Sequence, residues 1–205
     1  MEQKFVSNSR ESTRMFKSDL IESLSKVHYA VPLILYIPLI GYLFYKALGE
    51  LHVGFMIFFL SLAGGLLSWT LTEYVLHRFV FHYMPSSEWG KKLHFIFHGV
   101  HHDFPNDRLR LVMPPSVSIP LALFFFFIFK YSLSIEYLYG FFGAFLIGYL
   151  FYDTTHYAIH HANFKNPLLK KLKHHHMTHH FSEPNKGYGV SSKLWDKIFG
   201  SDFPR

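Results

Sequence analysis

The sequence predicts an all-α integral membrane protein with four transmembrane helices in two hairpins and a cytoplasmic helical cap that holds a histidine-rich dimetal site. Three observations predict it. Half of the 205 residues are hydrophobic and only 17% are charged, whereas about a quarter are charged in an average soluble domain. Four apolar runs approach the length of about 20 residues that a helix needs to cross a bilayer. The histidines are concentrated in the segments that follow these runs.

Each apolar run has features of a membrane helix. Pro32 and Pro38 should bend the first without breaking it. The second contains SLAGGLLS and the fourth contains Gly140, Gly143 and Gly148, and such small residues let membrane helices approach closely. The predicted spans are about 29–48, 53–76, 117–133 and 135–153.

Short links join the first span to the second and the third to the fourth, which predicts two antiparallel hairpins. A polar arm, residues 1–26, carries no cleavable signal pattern. The membrane domain is expected over 27–205, with a cap formed by 77–116 and 154–205. The chain contains no cysteine, which excludes disulfides and thiolate metal sites.

Basic residues are distributed unequally around the spans. Of the 20 lysines and arginines, only Lys46 and Lys130 lie near hairpin tips, and the other 18 lie in the arm, in 78–110 or after position 164. Positive charge favours the cytoplasmic side, so both termini and the cap are expected there. The net charge of +6 is therefore interpreted as a membrane-surface effect, and no nucleic-acid partner is expected.

Fourteen of the 16 histidines fall in two blocks, 77–102 and 156–180. Residues three and four apart share a helical face, and the spacings within 98–102, 156–160 and 176–180 fit that rule. His77 and His82 are five apart, which predicts that the helix ends or kinks between them. The histidines expected to converge on one shared site are His77, His82, His98, His101, His102, His156, His160, His176, His179 and His180.

These ten side chains predict a metal centre, because neutral imidazole binds iron, copper, zinc and nickel. Two ions with about five nitrogens each would use all ten. Glu73 precedes His77 by four residues and Asp153 precedes His156 by three, so each carboxylate is expected to accept the second ring N–H of a ligand, unless it only caps a helix. Further histidines placed to support the ligands are His94, His161 and His175, with His174 undecided. His28 and His52 lie outside the blocks and are expected at the membrane interface.

The sequence resembles the fatty acid hydroxylase and sterol desaturase superfamily, and within it the fatty acid 2-hydroxylases. The resemblance lies in HRFVFH, in HGVHHDFPNDRLRLVMPP, in YDTTHYAIHH and in GYGVSSKLWDKIFG. It implies that the ten histidines bind two irons and that O2 is used to hydroxylate an acyl chain at C-2. RLVMPP is the part most typical of the 2-hydroxylases.

A haem-binding HPGG motif, which many eukaryotic relatives carry in a cytochrome b5 domain, does not occur in this sequence. Electrons are therefore expected from a separate protein, such as cytochrome b5 or a ferredoxin with its reductase. A bacterial inner membrane is the favoured location, or the endoplasmic reticulum if the source is eukaryotic.

Breaking a saturated C–H bond requires an oxidant, which favours redox-active iron over zinc. Zinc could still occupy such a site in a purified sample.

Five phenylalanines could line a passage for the acyl tail or simply pack: Phe79, Phe81, Phe95, Phe97 and Phe104. Four polar residues could contact the headgroup: Asn106, Asp107, Arg108 and Arg110. The acyl group could arrive as a free acid, a thioester or a ceramide-like amide.

Three other functions fit part of the pattern. The histidines alone would equally suit a sterol or carotenoid hydroxylase or desaturase of the same superfamily. A metal transporter or sensor is a more distant alternative, because transporters place ionisable ligands within their spans and no predicted span has a histidine near its middle. A lipid-binding scaffold without activity would not need the complete set of ten.

Overall fold

Long helices dominate the computed structural model, which describes residues 5–204 and has only helical regular structure over that range. The helices are α1 Asp19–Leu24, α2 Ala30–Tyr45, α3 Phe55–Val75, α4 Glu88–His94, α5 Val100–Asp103, α6 Pro115–Ser132, α7 Ile135–His161, α8 Pro167–Phe181 and α9 Leu194–Ile198. Three π-helical turns, at Lys46–Glu50, Leu76–Phe81 and Phe95–Gly99, extend α2, α3 and α4.

Four of these helical stretches are long and apolar enough to cross a membrane, which confirms the predicted all-helical class. They are Ala30–Glu50, Phe55–Phe81, Pro115–Ser132 and Ile135–His161. The second and fourth continue past the predicted spans and enter the cap without a break. The first histidines of each block therefore stand on the ends of membrane helices.

Helix α7 lies at the centre of the membrane domain. In its most apolar stretch of 18 residues 61% of the residues are buried, whereas only 6% are buried in the corresponding stretch of α6. Its most extensive contacts are with α3. A Cβ atom at Gly65 of α3 would lie 2.1 Å from the carbonyl oxygen of Phe141, and one at Gly148 of α7 would lie 2.5 Å from Trp69 Cγ. Because lipid gives no hydrophobic drive to helix association, close packing of this kind has to provide it.

The segment after α8 returns to the membrane helices and packs on the end of α3. The hydroxyl groups of Tyr74 and Ser201 lie 2.7 Å apart, and the Trp195 indole N–H donates to Thr70 at 3.0 Å. Helix α8 itself begins at Pro167, and the Asn166 side chain accepts the Leu168 N–H as an N-cap.

The described part of the predicted arm, from residue 5 onward, is folded against the cap. The Ser7 N–H donates to the Asp103 carbonyl at 2.7 Å, and the Val27 N–H donates to the Leu109 carbonyl at 2.9 Å. Between these two points, Glu22 of α1 forms an ion pair with Arg110 at 2.6 Å. The arm is therefore one wall of the cap.

Candidate metal centre and adjoining cavity

The ten histidines singled out from the sequence come together in two groups of five. The first group is His77, His82, His98, His102 and His179, and the second group is His101, His156, His160, His176 and His180. Within each group, one ring nitrogen per residue lies within 4.8 Å of every other. Each group could therefore hold one metal ion.

A π-helical turn brings His77 and His82 together. The His82 N–H donates to the His77 carbonyl at 3.1 Å, which is the i to i+5 bond of a π-helix. With one extra residue in the turn, side chains five apart share a face, and the two Nε2 atoms lie 3.2 Å apart. The expectation that the helix ends between them is confirmed, since it ends at Phe81 and His82 is its C-cap, but the last turn is π-helical, which the spacing did not predict.

The two HxxHH motifs divide their histidines between the groups. His98 and His102 are four apart, share a helical face, and have Nε2 atoms 2.9 Å apart in the first group. His101, about 100° around the helix from its neighbour, enters the second group. The spacing alone did not say which of the two groups each histidine of the motif would enter.

Helix α8 repeats this division in the opposite sense. The Nε2 atoms of His176 and His180 lie 3.0 Å apart in the second group, while His179 reaches back to the first, 3.0 Å from His82 Nε2. The block 77–102 thus contributes His101 to the second group, and the block 156–180 contributes His179 to the first. The two groups are interlocked through α5 and α8.

The arrangement of ring protons fits a cation at the centre of the first group. His77 Nδ1 lies 2.5 Å from the Tyr188 carbonyl oxygen, and His179 Nδ1 lies 2.7 Å from the Lys186 carbonyl oxygen. A neutral imidazole has one N–H, and a carbonyl can only accept, so both rings carry their proton on Nδ1. Their Nε2 lone pairs then point at those of the other rings, and a bound cation removes that repulsion.

The electrostatics of the cap keep these histidines in the neutral form that binds metal. Burial, followed by the neighbouring imidazoles, lowers the pKa of His98 and of His101 well below the ordinary histidine value. The same two causes lower the pKa of His176 and of His180. These residues could therefore bind a metal ion at neutral pH without first losing a proton.

A cavity of about 240 Å³ adjoins both groups. Its inner wall includes His98 of the first group and His101 and His156 of the second. Met15, Phe16, Ile21, Leu24 and Ser25 of the arm form another wall, and a third is formed by Arg110, Leu111, Val112, Met113 and Pro114. RLVMPP, the motif most typical of the resemblance, therefore lies along the cavity.

The two carboxylates expected to support ligands have other surroundings. Glu73 accepts the backbone N–H groups of Val190 and Ser191 at 2.7 and 2.9 Å, so it binds a loop rather than His77 directly. Asp153 lines the cavity, and its carboxylate faces the Tyr149 hydroxyl and the Met113 backbone N–H, while the buried His156 Nδ1 has no hydrogen-bond partner among residues 5–204. The bond predicted from His156 to Asp153 is thus not formed in this structure.

The remaining histidines of the two blocks lie outside both groups. His175 is buried, with Nε2 3.2 Å from an Asp196 carboxylate oxygen. His94 and His161 are half-buried, and His174 is exposed. A supporting role for His94, His161 and His175 stays a prediction.

The four polar residues expected at a headgroup differ in position. Arg110 lines the cavity, but its guanidinium already donates to Glu22, to Ser25 and to the Thr13 carbonyl. Asp107 is buried and accepts the Leu109 N–H, whereas Asn106 is half-buried and Arg108 is exposed. Headgroup contact by these residues stays a prediction.

Phe81 and Phe97 line the cavity, as two of the five phenylalanines expected beside an acyl tail. Phe79 instead packs under the Arg78 guanidinium, with 5.1 Å between Arg78 Cζ and the ring centroid, and Phe104 packs against Phe5 with ring centroids 5.6 Å apart.

Sequence reasoning missed the arm residues of the cavity. It also gave no role to Asp196, although that residue lies in the conspicuous segment GYGVSSKLWDKIFG.

Comparison with known proteins identifies the scaffold. Residues 62–201 match the fatty acid hydroxylase family. The chain belongs to that family. The resemblance seen in the histidine motifs is thereby confirmed, and membership of a metal-dependent hydroxylase family favours an enzyme over a metal transporter or sensor.

Relatives of this fatty acid hydroxylase match nearly its whole length. A dihydroceramide fatty acyl 2-hydroxylase of Arabidopsis thaliana is 39% identical over 196 residues, which cover 93% of this chain and 80% of that protein. The fatty acid 2-hydroxylase of Rattus norvegicus is 39% identical over 212 residues, covering 93% and 57%. A solved structure described as full-length scs7p with only its hydroxylase domain visible is 34% identical, with a TM-score of 0.85 and coverage of 91% and 70%.

Proposed function

We propose that this protein is a membrane-bound fatty acid 2-hydroxylase, which replaces one hydrogen at C-2 of an acyl chain by a hydroxyl group. The observation that carries the proposal is that histidines of both groups line one largely apolar cavity. His98 represents the first group there, and His101 and His156 represent the second. An acyl carbon inside the cavity would face both groups at once.

The ten histidines would hold two iron ions, one in each group. An all-imidazole donor set suits zinc as well as iron, so the choice of iron comes from the reaction. When bound, the iron pair would supply the redox chemistry by which O2, two electrons and two protons convert C–H to C–OH and water. Zinc, which has no accessible redox change, would leave the protein inactive.

The protein would position the acyl chain and exclude water. Leu111, Val112 and Met113 add apolar surface to the cavity, as do Met15, Phe16, Ile21 and Leu24 of the arm. The cavity of about 240 Å³ is smaller than the roughly 300–1,000 Å³ that encloses a whole drug-sized ligand. It would therefore hold the segment around C-2 while the rest of a long lipid extends beyond it.

The names of the relatives support an acyl substrate, either free or in amide linkage to a sphingoid base.

The basic residues flanking the spans support a cap and termini on the cytoplasmic side. Electrons would then come from a cytoplasm-facing donor protein such as cytochrome b5, or a ferredoxin with its reductase.

The test is to express the full chain, together with an electron donor and its reductase, in a host that makes no 2-hydroxylated lipid. The host receives a fatty acid with both C-2 hydrogens replaced by deuterium. We expect lipid mass spectrometry to find a 2-hydroxy acyl product that retains one deuterium. A hydroxylated sterol or carotenoid, or lipids unchanged by expression, would contradict the proposal.

Two histidine variants provide matched controls. His156→Ala removes a member of the second group that also lines the cavity, and should abolish the product. His174→Ala removes an exposed histidine outside both groups, and should leave product formation at the wild-type level.

A further inference from the structure

We propose that the C-terminal segment, residues 186–201, gives the two groups of histidines unequal affinity for metal, with the first group binding its ion more tightly. Asp196 is the positioning residue that holds this segment in place. The inference rests on the proposed function only in requiring that both groups bind metal. It concerns how firmly each set of rings is oriented before an ion arrives.

Backbone carbonyls of the C-terminal segment anchor two rings of the first group. Tyr188 accepts from His77 Nδ1 at 2.5 Å, and Lys186 accepts from His179 Nδ1 at 2.7 Å. The two acceptors stand on either side of Gly187. This short stretch therefore fixes both the tautomer and the orientation of one ring from α3 and one from α8.

The second group has fewer such anchors: the His160 ring has a backbone hydrogen bond to Pro105, but three other rings have none. The Nδ1 atoms of His101, His156 and His176 are buried, and none has a hydrogen-bond partner among residues 5–204. These three rings are held by packing and are free to carry the proton on either nitrogen. Outer hydrogen bonds to metal-binding histidines are typically worth about 10–100-fold in metal affinity, so the anchored group should bind first.

Asp196 holds the C-terminal segment in the shape that presents those carbonyls. One carboxylate oxygen accepts the Tyr188 N–H at 2.9 Å and the Ser201 hydroxyl at 2.8 Å. The other accepts the Gly189 N–H at 2.8 Å and faces His175 Nε2 at 3.2 Å. Tyr188 is thus fixed at its N–H by Asp196 while its carbonyl orients His77.

Glu73 completes the attachment by tying the same segment to α3. Its carboxylate accepts the Val190 and Ser191 N–H groups and the Ser191 hydroxyl. The two buried carboxylates act on successive residues, 188–189 and 190–191. Side chains distant from the ring nitrogens therefore determine the geometry of the first group.

Gly187 offers a second way to disturb the anchor. Its φ of +70° is a left-handed conformation that suits glycine, and a Cβ there would lie 2.4 Å from the Phe203 ring. Gly187→Ala should shift the carbonyls on both sides of it. Gly200→Ala is the matched control, because Gly200 has a similar φ of +68° and nothing within 4 Å of an added Cβ.

The experiment is a titration of the purified, metal-stripped full chain with Co²⁺ alone, followed by the visible absorption of the bound ion. We expect the wild type to bind two ions in two steps and His77→Ala to lose the tighter step. Asp196→Asn and Gly187→Ala should weaken that same step by about 10–100-fold and leave the other unchanged. Gly200→Ala should titrate like the wild type.

Equal weakening of both steps in Asp196→Asn and Gly187→Ala would overturn the inference, as would loss of the weaker step in His77→Ala. Unchanged titration of both variants would overturn it too. A wild type that binds two Co²⁺ ions unequally but forms no 2-hydroxy product when iron-loaded would refute the proposed function while supporting this inference. A wild type that binds no metal would refute both.

Discussion

The imidazole ring of His102 stacks on the ring of His180, with ring centroids 4.1 Å apart and only 17° between their planes. The two residues belong to different groups of five, so the stacked pair forms a wall common to both. Neighbouring residues extend the relationship, since His101 serves the group of His180 and His179 serves the group of His102. Neither group is complete without a residue from the other block.

His102→Ala should lower bound metal and reduce hydroxylation by more than about 100-fold, beyond the effect of losing an outer hydrogen bond. It removes a member of the first group and the stacking surface for His180 of the second. Metal content of the purified protein and 2-hydroxy product by mass spectrometry would check this. His174→Ala provides the matched control, and full metal content with normal turnover in His102→Ala would remove that residue from the ligand set.

The ion pair between Glu22 and Arg110 should contribute strongly to stability, because both side chains are buried. Breaking a buried pair costs about 3–5 kcal/mol when one charge is left unpaired. Because Asp107 also faces Arg110, at 3.5 Å, Glu22→Gln should cost part of that amount and still lower the melting temperature clearly. Glu88→Gln is the control: its pair with Lys91 is solvent-exposed and should matter by less than about 1 kcal/mol. Equal melting temperatures for the two variants would show that the arm is not held by this contact.

The same pair predicts a dependence on pH. Burial raises the pKa of Glu22, but hydrogen bonds from Lys26, Phe16 and Met15 and the charge of Arg110 together lower it from 4.5 to about 2. A carboxyl whose folded pKa is depressed stabilises the fold above its unfolded pKa and loses that contribution as pH falls toward the folded value. The difference in melting temperature between wild type and Glu22→Gln should therefore be constant above about pH 5 and shrink between pH 4.5 and 2. A difference that does not change over that interval would contradict the assignment.

Much of the fold and of the site could be predicted because both depend on local pattern. The four apolar runs required helices of membrane length, and the spacing of the histidines required shared faces. The same rules predicted that the helix ends between His77 and His82, but not that its last turn is π-helical. They could not assign His101 and His179 to one group or the other, because sequence spacing does not reveal which of two neighbouring sites a ring enters.

The rest depended on contacts between distant parts of the chain. His77 finds its acceptor at the Tyr188 carbonyl, 111 residues away, and a backbone acceptor has no sequence signature. Arg110 meets Glu22 across 88 residues, so the polar arm gave no sign that it forms a cavity wall. Glu73 was expected to accept from a ligand ring, but its partners are the Val190 and Ser191 N–H groups of the loop.

Close contact between α3 and α7 should be sensitive to a single methyl group. Gly65→Ala would place Cβ against the Phe141 carbonyl oxygen, a backbone atom that cannot turn aside. Overpacking of this kind costs about 1–3 kcal/mol, and activity should fall with stability because α3 and α7 carry His77 and His156. Thermal unfolding in detergent would measure the loss. Gly41→Ala, which meets nothing within 4 Å, should be neutral or slightly stabilising, and the same result for Gly65→Ala would show that the helices can move apart without cost.

The cavity wall contributed by the arm should affect substrate binding and not metal binding. Leu24 lines the cavity and Leu20, on the same short helix, does not, although both side chains are more than half exposed, at 56% and 69%. Leu24→Asp would place a charge beside the acyl chain and should raise KM by about tenfold, which corresponds to about 1.4 kcal/mol, with metal content and kcat near wild type. Leu20→Asp adds the same charge to α1 away from the cavity and should leave KM unchanged. Steady-state kinetics over a series of acyl substrates would measure KM for both variants. Equal changes in KM would mean that the added charge acts from anywhere on α1, and that Leu24 does not act as a wall of the cavity.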